Sequence, residues 1–267
     1  MRQYKSLFKI RFINSLQYRT AAIAGVITQF AFGLMYIMLF KAFYAQGNIP
    51  NNFTETQMVS YIWLQQMLLV LFWVAAKNST IVLQIEQGNI CYELVRPMNL
   101  YNNWFTTMLA DGMSKTFLRL IPVMIFAFML PAGWGLMLPA SIPALLLFLL
   151  NMIIGAMLVV AINMLCYCLM FNTMSSIGIF SIVSTLASLF NGSMIPVPLM
   201  PVWFQKVLDF LPFRYINDLT FRTYIGSLTI NESLIQTGIQ FAWLIVFITI
   251  GKLWLNKNLK KVEVQGG

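Results

Sequence analysis

Asp111, Lys115 and Arg119 have the residue types and spacing for charge chemistry. They recur every four positions, which places a carboxylate, an ammonium and a guanidinium on one helical face. Buried in hydrocarbon, such a face carries ions or protons; solvated, it is a salt-bridged helix surface. The overlapping run GMSKT, residues 112–116, is superficially like a phosphate-binding loop. It lacks the G-x-x-x-x-G-K-[ST] spacing, and that motif occurs nowhere else, so no P-loop binds ATP here. Cys166 and Cys168 form a C-x-C pair, and Cys91 is the third thiol. The chain has no histidine, which removes His-based zinc sites and Ser–His–Asp triads. The cysteines then read as small apolar side chains rather than metal ligands or a disulfide framework. The acids Glu55, Glu86, Glu93, Asp111, Asp209, Asp218, Glu232 and Glu263 are dispersed. No pair forms the carboxylate cluster of a metal-phosphate enzyme. No catalytic constellation is present, and no bound cofactor or metal is expected.

The elements around these residues follow from composition. Of the 267 residues, 59% are hydrophobic and 9% charged, with a mean hydropathy of +0.75. A soluble globule carries roughly 25% charged residues, so too few polar side chains exist to cover a water-facing surface. Lipid is the expected solvent for most of the exterior. The net charge is +9. Its basic residues flank apolar runs, as the positive-inside bias requires, so no nucleic-acid partner is expected. The opening MRQYKSLFKIRF is basic but interrupted by aromatic residues, and no small-residue cleavage site follows a short apolar run. The first long apolar run is therefore expected to remain as a span.

The expected fold is an all-α membrane protein, a single transmembrane domain over residues 1–267 with about six spans. Residues 1–19 read as an interfacial amphipathic helix. Tyr4, Phe8, Phe12 and Leu16 repeat every four positions, and Arg2, Lys5, Lys9, Arg11 and Arg19 supply charge. The same residues also fit the inner flank of the first span. Spans are expected over residues 21–40, 57–76, 116–130, 142–171, 177–194 and 234–255. The third has room to begin earlier as a helix rising through the interface. Gln65 and Gln66 within the second should face other helices, because an amide in hydrocarbon needs a partner. Turn residues mark 46–56, 131–143 and 172–176. No charged residue occurs in 120–205, the strongest membrane signal in the chain.

Two segments break the pattern. Residues 85–105 lie in a polar interval, 77–115, with one glycine, an amphipathic turn and a proline stop. They suit either a docking surface beneath the membrane or an ordinary interfacial loop. Residues 195–230 carry Pro196, Pro198, Pro201 and Pro212 among scattered charges, too many prolines for a straight span. They read as a short hairpin or interfacial helices that dip into the membrane and return, the backbone covered by protein. Of the 17 Lys and Arg, five precede the first span, four lie in 77–119 and four follow from Lys252 onward. Both termini are therefore expected in the cytosol of a multi-pass plasma or inner membrane protein.

These features, in this order, resemble a permease subunit of the type-2 ABC exporter family, small bacterial subgroup. The matching pieces are the basic N-terminal helix and the segment Glu86-Gln87-Gly88-Asn89-Ile90-Cys91-Tyr92-Glu93-Leu94-Val95-Arg96-Pro97. A nearly uncharged three-span block and the proline-rich stretch 192–226 before the last span complete the set. The resemblance implies that Glu86, Gly88, Leu94, Arg96 and Pro97 form a coupling helix lodged in a cytosolic ABC ATPase. ATP and magnesium would sit in that partner. A second permease chain, identical or homologous, would complete a pathway for a hydrophobic or amphipathic substrate such as a drug, lipid or peptide. The basic helix would contact membrane lipid, and the hairpin would close the outer end. A non-transporting scaffold or assembly protein and a lipid-modifying membrane enzyme are the alternatives. The enzyme lacks an acid–base or metal constellation.

Overall fold

The computed structural model describes residues 2–47, 53–173 and 175–260. The expected turn residues Pro50, Asn51 and Asn52, and the basic tail beyond Lys260, lie outside them. All regular elements among the described residues are helices, with no strand. The elements are α1 Arg2–Ser15, α2 Arg19–Ala45, α3 Glu55–Leu68, α4 Ser79–Glu86, α5 Cys91–Leu94 and α6 Leu100–Met129. After them come α7 Ile142–Thr173, α8 Ser176–Phe190, a 3₁₀ turn Val197–Leu199, α9 Val202–Asp209, α10 Arg214–Tyr224 and α11 Ile230–Leu259.

Four helices, α2, α6, α7 and α11, are long and apolar enough to cross a bilayer, which needs about 20 residues. Central among them is α7, which packs against α11, α10, α6, α8 and α4. Its uncharged sequence has apolar residues on every face; the second half is mostly buried, while Ile142, Leu146, Leu150 and Ile153 of the first half point outward. By contrast, α2 presents Ile23, Ile27, Phe32, Met35 and Met38 outward, a lipid-facing stripe.

Three expected spans differ from the structure. The second ends at Leu68 rather than residue 76: α3 has 14 residues, and 69–78 is non-helical. Asn163 of α7 accepts a hydrogen bond from the Ala75 amide at 2.6 Å, and the Tyr167 hydroxyl accepts one from the Asn78 amide at 2.8 Å. Ala75 sits at φ +62°, which only tertiary contacts hold for a residue with a side chain. Helix α3 is covered on all sides from Met58 to Leu68. Gln65 and Gln66 face protein as expected, the Gln65 amide donating to the Ser193 carbonyl.

The third span starts at Leu100, so the interval 77–115 is in part the first half of α6, against which α1 packs. The fifth, α8, has 15 residues, about 22 Å at 1.5 Å each, and stops partway through the bundle.

Two helix starts are written in capping boxes. Thr54 and Gln57 exchange side-chain and backbone hydrogen bonds at the start of α3, and Thr229 and Glu232 do so at α11, which begins at Ile230 rather than 234.

Candidate functional site

One end of the bundle gathers α1, α4, α5, the start of α6, the end of α7, the start of α8 and the end of α11. Contacts across this face include the Asn258 amide donating to the Cys168 carbonyl at 2.7 Å, and Lys252 lying over the Tyr101 ring. The segment 86–97 projects here. Asn78 caps α4 by accepting from the Thr80 and Ile81 amides. Gly88, at φ +71°, turns the chain out of α4; a β-branched residue there would be strained. Ile90 is buried and anchors the short α5.

Glu93 ties the segment together. Its carboxylate accepts from Gln84 of α4 at 3.2 Å, from Asn103 of α6 at 3.1 Å and from Arg96 at 3.2 Å. Glu86 accepts from the Ser176 amide at 3.3 Å, placing a carboxylate on the N-terminus of α8, where the helix dipole favours it. The segment is thus fastened to α4, α6 and α8. Its tip is bare: Tyr92 is 73% exposed, Val95 85% and Leu94 45%, with Gly88, Arg96 and Pro97 also exposed. The Tyr4 hydroxyl of α1 accepts from the Asn99 amide at the start of α6, bringing the N-terminal helix beside this ledge.

On α1 the stripe Tyr4, Phe8, Phe12 and Leu16 is partly covered, and α1 packs against α6. Phe12 meets Phe117, its carbonyl accepts from Ser114 at 2.8 Å, and Ser15 donates to Asp111 at 2.7 Å. The stripe therefore faces protein rather than the headgroup boundary. Arg2, Lys5 and Lys9 are exposed with Ile10 and Ile13, while Arg11 turns inward and is half-buried.

The proline-rich region is a 3₁₀ turn followed by two short helices. Pro196 precedes the 3₁₀ turn that holds Pro198, Pro201 caps α9, and Pro212 lies between α9 and α10. The Gln240 side chain donates to the Tyr215 carbonyl at 2.6 Å and to the Asn151 carbonyl at 3.2 Å. Asn151 is nine residues into α7, about 14 Å along its axis. The start of α10 therefore packs beside the first half of α7 rather than at its end. Its far end, where Tyr224 accepts from the Ala140 amide, reaches the α6–α7 turn on the opposite face.

A charge network inside this region was missed in the sequence. Asp218 is fully buried; Arg214 approaches it at 3.2 Å, Arg222 at 3.6 Å and the Tyr61 hydroxyl at 3.4 Å. Arg214 also pairs with Asp209, and Arg222 donates to Ser227. The signal was available: residues 214, 218 and 222 repeat every four positions in the order basic, acidic, basic. The network locks α9, α10 and α3 together.

Asp111, Lys115 and Arg119 do lie on α6, but they form no ion pair among the described residues. The salt-bridged helix face is not what the structure builds. Nor do the described residues contain a group of metal-ligating side chains.

Comparison with known families agrees with this architecture. The family described as ABC-2 family transporter protein matches residues 30–266. No curated protein and no solved structure gives a significant match. A match over nearly the whole chain, on an all-helical membrane fold, settles the family: this chain belongs to the ABC-2 transporter family as a membrane permease component of an ABC transporter.

Proposed function

We propose that this chain forms the membrane pathway of an ATP-driven exporter and takes its drive through the ledge at residues 86–97. The observation that carries this reading is the fastening of the ledge. Glu93 binds it to α4 and α6, Glu86 binds it to α8, and its tip exposes Tyr92, Leu94 and Val95 to water. A rigid projection with an apolar tip transmits a push from a docked cytosolic ATPase into α8 and then into the re-entrant region beyond it. In this reading ATP and magnesium belong to the ATPase, and both termini and the ledge face the cytosol of the cell membrane. A second permease chain, copy or homologue, closes the pathway, and the cargo is hydrophobic or amphipathic.

The test is Leu94→Glu in the complex purified with its ATPase. Leu94 is half-exposed, so the chain should remain in the membrane at wild-type level. Substrate-stimulated ATP turnover is expected to fall to the unstimulated rate. Undiminished stimulation would remove the ledge from the coupling path.

A further inference from the structure

A cavity of about 710 Å³ lies between α1, the first turns of α2, the break at 69–78, α6 and α7. We propose that it binds a phosphate group of net negative charge, carried on an anionic lipid headgroup or on a soluble phosphate ester. Its rim is cationic. Arg11, Lys77, Lys115 and Arg119 line it against a single carboxylate, Asp111, leaving a net charge of +3. The carboxylate is occupied: it accepts from Ser15 at 2.7 Å and from Asn78 at 3.3 Å. None of the four cations is ion-paired among the described residues. The Lys77 ammonium rests over the Phe180 ring. Arg119 is seated over Gly25, where any added Cβ would collide with its guanidinium, and its Nε is covered without a hydrogen-bond partner. Uncompensated positive charge in a half-open cavity draws an anion, and arginine with lysine suits phosphate in particular.

Depth and wall chemistry agree. The cavity sits where the apolar run of α2 begins, at Tyr18 and Ala21, the level of a headgroup beside the inner end of the bundle. Val70, Leu71, Trp73, Met108, Val159 and Val160 give the same wall an apolar share. Cations and apolar side chains on one wall match an anionic amphiphile. The strained, non-helical segment 69–78 also falls into place, because such backbone is tolerated at membrane depth where it lines a cavity.

The test reads binding alone and does not depend on transport. The purified chain is placed in nanodiscs of phosphatidylcholine and titrated with fluorescent phosphatidylglycerol or fluorescent phosphatidylcholine. Saturable binding of the anionic lipid is expected, weakened by raising salt. Lys115→Gln with Arg119→Gln should weaken it about 30-fold, the effect of two cations near a charged surface. Lys115→Arg with Arg119→Lys, which keeps the charge, should retain binding, and Lys5→Gln with Lys9→Gln on the outer face of α1 should leave it unchanged. Displacement by millimolar glycerol phosphate assigns the site to soluble phosphate esters; resistance to it assigns the site to lipid. Equal affinity for the two lipids, or undiminished affinity in a folded double-glutamine variant, overturns the proposal.

Discussion

Asp218, fully buried, accepts contacts from two guanidiniums and a phenol. Replacing it with alanine leaves the buried Arg214 with Asp209 alone and Arg222 with Ser227 alone. Breaking a buried pair this way costs about 3–5 kcal/mol. Thermal unfolding of Asp218→Ala in detergent should therefore move down by roughly 10 °C, while Asp218→Asn, which keeps one acceptor oxygen for these donors, should lose less. A variant as stable as the parent would mean that these charges are not buried together. This network was readable in principle: the spacing of Arg214, Asp218 and Arg222 is that of a helix face. It was hidden because neighbouring prolines draw attention to backbone breaks. Glu93 was hidden differently. Nothing local says that it will meet Gln84 and Asn103, since those contacts exist only once α4 and α6 converge.

At the scale of elements, the Glu86 contact with α8 carries a separate prediction. Loss of a helix-capping carboxylate costs about 1 kcal/mol. In Glu86→Ala, amide hydrogen exchange across Ser176–Ile179 should accelerate by about fivefold, the equivalent of that cost, with α6 unaffected. Exchange unchanged at the start of α8 would detach the ledge from that helix. Helices α2, α7 and α11 were legible as uninterrupted apolar runs of sufficient length. The end of α3 was not, because the sequence from Leu69 to Asn78 contains neither proline nor glycine. Its break is imposed from outside by Asn163 and Tyr167 of α7. The early start of α6 was obscured by its own polar face, which turns toward α1 and the cationic cavity rather than toward lipid. The four-residue error at the head of α11 had a local remedy in the Thr229–Glu232 box.

For the whole molecule the open prediction is sidedness. Val95 on the ledge and Leu138 in the α6–α7 turn lie on opposite faces, 85% and 74% exposed. Single cysteines at these positions, in a background with Cys91, Cys166 and Cys168 replaced, should answer oppositely to a membrane-impermeant maleimide. Leu138→Cys is expected to react in intact cells, and Val95→Cys only after lysis. The reverse pattern would invert the protein in the membrane and place the ledge out of reach of a cytosolic ATPase.

The encasement of α3 separates two kinds of evolutionary constraint within one chain. Lipid touches none of the residues from Met58 to Leu68, so no solvent demands that they be oily; their shapes answer only to neighbouring side chains, and a pair of amides persists there. On the outward stripe of α2 the demand is inverted. Any greasy side chain suffices, whatever its contour. Drift should therefore be conservative in volume along the first segment and conservative only in hydrophobicity along the second.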